Sequence, residues 1–402
     1  ERANTNGESI AALTERMTAA MHEDFDRLKL LRPTFEPRAT QHVAGMLDII
    51  KVLEDKGIAY RAPNGDVYYA VRKFAGYGKL SRKNPDDLIA GERVAVDANK
   101  RDPLDFALWK AAKPHEPHWT SIFGDGRPGW HIECSAMCKA VLGERLDIHG
   151  GGWDLQFPHH ENEIAQSEGA LGHPFVNVWM HAAFLNFDSE KMSKSLGNFF
   201  TIREVLNKLN PVRGGEEVRF FLLRGHYRSE INYMYDMLVD VANALMGIYR
   251  VLKDVPPADD SGLDWSHPLA VRFKDAMEDD LDTPAAFAVL FELRDEVRKS
   301  GDARLSALLK ALGGTIGLLQ QPPSEFVQGE VLPIGTQLTT QGYAPTVVVT
   351  QGSGSQGMPI TLQIEALVEQ RSQAKLTKDF ARADAILKQL DAMGIVLEDK
   401  PG

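Results

Sequence analysis

Between Trp130 and Phe187 the chain reads in turn as helix, strand, glycine run, helix and strand, and this order constrains its fold more than any other stretch. Trp130 to Leu142 is expected to be a helix after the Gly/Pro-rich segment 124–129. Leu146 to His149 reads as a short strand that ends in Gly150, Gly151 and Gly152. Pro158 to Ala170 reads as a second helix, with proline in its first turn, where the missing N–H costs nothing. Val176 to Phe187 offers strand material. Three consecutive glycines let the backbone come close to a ligand, although the triplet alone does not say which.

Upstream, residues 8–30 read as an amphipathic helix, with Ile10, Leu13, Met17 and Met21 at helical spacing; Pro33 and Pro37 break it. A second helical pattern runs from about Ala39 to Lys56 and stops at Gly57. Val67 to Val71 looks like a strand after an Asn64-Gly65 turn, and residues 58–115 alternate short strands and turns. Beyond residue 200, Asn232–Lys253, Pro268–Asp280, Pro284–Ser300 and Ala303–Leu319 carry apolar residues three and four apart, as in a helical bundle. Residues 321–360 are rich in Pro, Gln, Thr and Gly and read in part as a mobile link. Ile364 to Met393 reads as two further helices ending at Gly394.

A chain of 402 residues suggests two or three domains at about 150 residues each. No run of about 18 apolar residues offers a membrane span, and no basic-then-apolar signal segment opens the chain. A net charge of −11 argues against bulk electrostatic attachment to nucleic acid. A local basic strip is still open to it, and Arg371, Lys375, Lys378, Arg382 and Lys388 are one candidate; an ordinary solvated helix face is the other reading. The two cysteines, Cys134 and Cys138, make no disulfide framework and suit a reducing cytoplasm.

Two constellations carry chemistry. In Lys191-Met192-Ser193-Lys194-Ser195, two lysines three apart are interleaved with hydroxyls and followed by Gly197. Lysine is a compact charge on a flexible stem, so such a loop can follow a polyphosphate as its charge moves, stabilising what appears only in the transition state. The second constellation is Cys134, His159 and Glu163. His159 and Glu163 stand four apart on one helix and face one point. Thiolate, imidazole and carboxylate together suit zinc, although a structural site takes four ligands. Capping or pairing within the helix is the alternative for His159 and Glu163. His160 and His149 are further nitrogens nearby.

The wording around these residues is more specific. Lys191–Ser195 resembles the signature KMSKS loop of the class I aminoacyl-tRNA synthetases. Gly129-Trp-His-Ile-Glu-Cys-Ser-Ala-Met137 and Asp147-Ile-His-Gly-Gly-Gly-Trp-Asp-Leu-Gln-Phe-Pro-His-His-Glu-Asn-Glu163 closely resemble two blocks of the cysteinyl-tRNA synthetases. The resemblance extends to Leu31–Thr40, Arg219–Tyr233 and Gly394–Asp399, and covers most of the chain apart from 321–360. It implies an α/β, Rossmann-like nucleotide-binding catalytic domain with an insertion, then an α-helical bundle and a small anticodon-binding domain. The expected division is 1–47 for the remaining first half of the catalytic domain, 48–124 for the insertion and 125–175 for the second half. Residues 176–234 would hold the lysine loop and stem-contact region, 235–320 the bundle, and 321–402 the linker and anticodon-binding domain.

The resemblance also implies the chemistry: activation of L-cysteine by ATP with Mg2+, and transfer to tRNA(Cys), by a cytoplasmic monomer. Cys134, His159 and Glu163 would be ligands of one Zn2+ per chain, completed by a cysteine from nearer the N-terminus. Such a metal would bind the substrate thiolate and separate cysteine from serine. Trp130 would form an aromatic wall of the amino-acid pocket, with plain core packing as its other reading; His149 and His131 would line the same site. Asp154 would approach the adenosine ribose or the substrate amine, beside Gly151 and Gly152. Lys194 is the expected ATP phosphate contact, with Lys191 its partner.

The class I His-x-Gly-His motif is not in these 402 residues; His149-Gly-Gly-Gly152 and Arg224-Gly-His226 do not match it. The expectation is that the sequence as given lacks several dozen residues before Glu1. Two other functions stay open. One is a mycothiol-pathway cysteine ligase with an aminosugar acceptor, against which the resemblance of residues 364–399, with Arg371 and Asp384, to an anticodon-binding extension argues. The other is an inactive tRNA-binding paralogue. This polypeptide by itself should be a poor catalyst of cysteine activation; a full rate of cysteine-dependent pyrophosphate exchange from it would refute that expectation.

Overall fold

The computed structural model describes residues 2–87, 98–114, 116–187, 190–191, 200–258 and 263–328, with helical positions 367, 371, 382–383, 385–386 and 388–389 beyond them. Helices α1 (Arg2–Asn6), α2 (Ile10–Arg27) and α3 (Val43–Asp55) open the chain. In α3, Met46, Ile49, Ile50 and Leu53 recur at helical spacing and are all buried, and Gly57 ends the helix with φ +70. Helix α2 does not follow its pattern. Ser9 caps it, but Ile10, Met17 and Met21 are 50%, 44% and 40% exposed. Its apolar stripe is not a core face among the described residues. Its polar side is held instead: Arg203 donates to Asp24 and to the Ala20 carbonyl.

Strands β1 (Ala59–Arg61), β2 (Val67–Tyr69), β3 (Phe106–Ala111) and β4 (Gly126–Pro128) form an antiparallel sheet in that order. Gly65, at φ +87, makes the turn into β2. Helix α4 (Trp130–Leu142) follows Gly129 as expected, and α5 (Glu161–Leu171) packs with α3 and α4. Ile132, Ala136 and Ala165 join Val67, Tyr69, Leu108 and Trp109 in one apolar core.

Strand β5 runs from Leu146 to Gly152, so it does not stop at the glycines. It pairs in parallel with β6 (Val176–Ala182), with Gly150, Gly151 and Gly152 opposite Met180, His181 and Ala182. Ladder bonds need only backbone, and the parallel partner carries the strand through a run that has no side chains. The segment between them is a π-turn over Gln156–His160, with Phe157 non-helical, leading into α5; the expected helix from Pro158 therefore starts later as regular α. The strand material at 176–187 divides between two sheets. β7 (Leu185–Phe187) pairs with β8 (Glu190–Lys191) antiparallel and with β9 (Ile231–Tyr233) in parallel, while α6 (Ile202–Leu206) and α7 (Gly214–Leu223) lie between β8 and β9.

Helices α8 (Tyr235–Asp254), α9 (Pro268–Glu278), α10 (Thr283–Ser300) and α11 (Ala303–Thr315) share the largest apolar core. Helix α12 (Pro323–Gln328) closes it, so the Pro/Gln-rich stretch begins as packed helix rather than link. Phe326 is 0% exposed and stacks on Tyr249 at 3.7 Å between ring centroids. The Tyr249 hydroxyl donates to Glu216 of α7, 2.8 Å away, and the Leu319 N–H donates to the same carboxylate at 2.6 Å. Burial raises the Glu216 pKa above the ordinary carboxylate value. Arg371 is only 9% exposed and does not belong to a solvated basic strip, whereas Arg382 and Lys388 face solvent. Lys375, Lys378 and the rest of the expected link and terminal helices lie outside the described residues. Phe326→Ala should cost about 3–5 kcal/mol of stability, read as a lowered denaturation midpoint of the helical region.

Candidate functional site

Helix α5 is buried along most of its length although its first turn is polar. Glu161 and Asn162 of that turn are met from the insertion. The Glu161 carboxylate accepts from the backbone N–H of Gly78 (2.9 Å) and Ser81 (2.8 Å). Gly78 adopts φ +93, a conformation that glycine takes without steric cost. The Tyr77 hydroxyl donates to Asn162 at 2.6 Å, and the Tyr69 hydroxyl to the Ala165 carbonyl at 2.7 Å. Gln166 donates across to α4, to the His131 carbonyl and the Ser135 hydroxyl, both at 3.1 Å. These contacts fix α5 against α4, so Glu163 faces Cys134 and Cys138, which stand one turn apart.

Donor atoms of Cys134, His159 and Glu163 lie within 4.8 Å of one another. Glu163 is 0% exposed, and neither of its oxygens has a hydrogen-bond partner. His159 Nε2 is 3.0 Å from Glu163 Oε1, at ion-pair distance but out of hydrogen-bonding alignment. A buried carboxylate without a donor is costly, and a cation among these three side chains would remove that cost. Burial first, then the Glu163 carboxylate, pushes the Cys134 thiol up to about 12; a bound divalent cation inverts that preference. The donor set therefore fits a soft or borderline metal ion.

Other imidazoles surround the pocket. His131 Nδ1 is 2.8 Å from His159 Nδ1, and burial, then His159, pushes the His131 pKa down to about 4. His160 Nδ1 is 2.9 Å from His181 Nε2, and burial, then His149, pushes His160 down to about 3. Both rings are held neutral. His149 is mostly buried on β5, with Nε2 3.5 Å from Glu163 Oε2. Trp130 is 65% exposed, which excludes plain core packing; it stacks on His131 at 5.6 Å and stands 5.0 Å from the His159 ring.

Gly151, Gly152 and Asp154 lie at the carboxyl end of β5, the edge at which parallel α/β sheets bind ligands. A Cβ on Gly151 would stand 2.9 Å from His160, and one on Gly152 would stand 2.5 Å from Asp154 Oδ1. The glycines thus also make room for the chain's own residues. Asp154 is exposed on the following turn. Lys191 pairs through its backbone with Asn186 in the β7–β8 hairpin, and Lys194 lies outside the described residues. His181 and Gln166 are not singled out by sequence; strand β6 and the buried face of α5 bring them in. Cys138 carried a signal in its one-turn spacing from Cys134.

Residues 1–243 match the family described as the catalytic domain of the class I (C) tRNA synthetases, and residues 272–320 match the DALR domain. The chain is 54% identical over 405 residues to the cysteine–tRNA ligase of Ralstonia nicotianae, spanning 100% of this chain and 82% of that one. The chain belongs to the class I cysteine–tRNA ligase family. The corresponding ligase of Methylobacillus flagellatus is 55% identical over 402 residues, with the same coverage of 100% and 82%. That of Chromobacterium violaceum is 53% identical over 402 residues. The DALR match falls on α9, α10 and α11 of the bundle. No helix among the described residues is long and apolar enough to cross a membrane.

Glu163→Gln keeps the shape of the side chain and removes the charge of the partnerless carboxylate. In metal-free protein it should raise stability by about 1–3 kcal/mol, read by urea unfolding, and it should abolish tight divalent-metal binding measured on the same samples.

Proposed function

We propose that this protein activates L-cysteine with Mg-ATP to cysteinyl-adenylate and transfers the cysteinyl group to tRNA(Cys). The observation that carries the reading is the buried triad Cys134, His159 and Glu163 beside the exposed Trp130, in a chain whose relatives are cysteine–tRNA ligases. The triad would hold Zn2+. When bound, the ion supplies a soft Lewis-acid site for the substrate sulfur, a distinction from serine that an apolar pocket cannot make strongly.

The rest falls to the chain's own groups. Trp130 walls the side-chain end of the substrate. Neutral His131 and His160 offer hydrogen-bonding nitrogens without adding positive charge. The cysteine carboxylate attacks the α-phosphate of ATP in line and pyrophosphate leaves. A terminal adenosine hydroxyl of the tRNA then attacks the adenylate carbonyl, and AMP leaves. No covalent enzyme intermediate is needed, so rate comes from positioning and charge stabilisation.

Asp154, at the carboxyl end of β5, accepts from the ribose hydroxyls or the substrate amine, and Gly151 and Gly152 let the nucleotide approach the backbone. Lys194, with Lys191, neutralises the spreading phosphate charge. The helical region that includes the DALR match contacts the tRNA, and so does the 321–402 extension, where Arg382 and Lys388 face solvent. The working unit is a cytoplasmic monomer.

Cysteine-dependent ATP–pyrophosphate exchange by the full-length protein tests this. Serine should not support exchange, zinc chelation should abolish it, and Lys194→Ala should lower it about 10²–10³-fold with cysteine binding unchanged. Exchange that survives chelation would sink the zinc assignment.

A further inference from the structure

Two donors of the triad sit on different helices: α4 carries Cys134 and α5 carries Glu163. Their separation follows from how these helices pack. Tyr77, Gly78, Ser81 and Tyr69 of the insertion hold α5 at Glu161, Asn162 and the Ala165 carbonyl, and none of these bonds reaches α4. Ile132 and Ala136 of α4 share an apolar core with Ala165 of α5. Apolar contact is non-directional, so it draws the helices together without fixing their register.

Gln166 supplies the direction. Its side chain is 0% exposed, and its amide nitrogen donates to the His131 carbonyl and to the Ser135 hydroxyl, each at 3.1 Å. Among the described residues these are the only hydrogen bonds between α4 and α5. A carbonyl only accepts, so the His131 contact fixes which end of the amide faces α4. Ser135 follows Cys134 directly, and His131 lies just under one turn before it. Gln166 stands three residues beyond Glu163, on the same face of α5. The clamp therefore lies within one turn of a ligand on each helix. The other end of the amide, Oε1, is buried with no partner. That oxygen costs stability, and an apolar side chain of equal length would avoid the cost; only the register of the two helices would be lost.

We infer that Gln166 is a positioning residue of the metal site. It lies outside the donor set and holds Cys134 and Glu163 at a separation that one ion can bridge. This rests on the reading of Cys134, His159 and Glu163 as a zinc site. The experiment takes two readings on the full-length protein: the urea midpoint without metal, and the Zn2+ dissociation constant by competition with a chromophoric chelator. Gln166→Met keeps the length of the side chain and removes both bonds together with the unpaired oxygen. Its metal-free midpoint should stay at or above that of wild type, while its zinc affinity falls about 10–100-fold. Ser135→Ala removes one of the two bonds and should lower zinc affinity about 2–10-fold. Ile132→Val is the packing control: it thins the same buried interface and keeps the clamp, so its zinc affinity should match wild type.

Wild-type zinc affinity in Gln166→Met would overturn the positioning role and leave the metal site standing. So would an equal loss of affinity in Ile132→Val, which would mark Gln166 as one packing residue among others. Should Gln166→Met fail to fold, the comparison of Ser135→Ala with Ile132→Val decides: loss in the first alone supports the role, and equal affinities overturn it. A wild-type protein that takes up no zinc would overturn the metal reading itself, and the role of Gln166 with it.

Discussion

A carboxylate buried to zero exposure with no donor on either oxygen is the constraint around which the catalytic part is built. Two residues upstream on the same helix, Glu161 is equally buried, yet its oxygens accept from Gly78 and Ser81. The contrast is informative. The fold can satisfy a buried carboxylate at the start of α5, and it does so where the role is to anchor the helix. At Glu163 it supplies a thiol and an imidazole at coordinating distance instead of an N–H. Leaving a charge in that state is tolerable only if another charge comes to it.

Burial sets the protonation of the surrounding groups in one direction. The Cys134 and Cys138 thiols are pushed up, to about 12 and about 11, and His131 and His160 are pushed down, to about 4 and about 3. Each group is driven to its neutral form because the low-dielectric pocket penalises charge of either sign. Neutral imidazole is already in ligand form. The thiols are not, so metal binding in this pocket must expel protons. Selectivity follows from the same arrangement: ions that cannot displace a proton from sulfur cannot use these donors.

How much of this was legible depended on range. Helix α4 and the helices from α9 to α11 were readable, since spacing and flanking Gly or Pro are local signals. The pairing of His159 with Glu163 was readable for the same reason. The 25-residue step from Cys134 to His159 had no local signal and was carried by the resemblance of the two blocks; in the fold it is the packing of α4 on α5, with Gln166 and the insertion hydroxyls, that closes it. Helix α2 shows the converse failure: its stripe has the right period and buries nothing among the described residues. Period reports that a face exists and is silent on what covers it. Strand β5 outran its reading because its parallel partner, invisible locally, carries the ladder through Gly152. Helix α12 was hidden by composition, where one buried Phe326 outweighs its polar neighbours.

The bundle is tied to the catalytic part at a point of backbone strain. Asp280 and Leu281, between α9 and α10, adopt φ of 53 and 58, a region that non-glycine residues avoid. The surroundings over-determine that shape. The Asp280 carboxylate accepts from Arg228 Nε at 2.5 Å and from the Tyr227 hydroxyl at 2.7 Å, while the Thr283 hydroxyl donates to the Gly225 carbonyl. The Arg228 hydrogen bond, then that of Tyr227, holds the Asp280 pKa at about 2. The Tyr227 carbonyl in turn accepts from Ala183, at the junction of β6 and β7. A displacement of the α9–α10 loop therefore reaches the strands that carry His181 and lead to Lys191 through two consecutive polar contacts. Strain of this kind persists where the contacts around it hold the chain in place, and here those contacts run from the DALR match to the edge of the metal pocket.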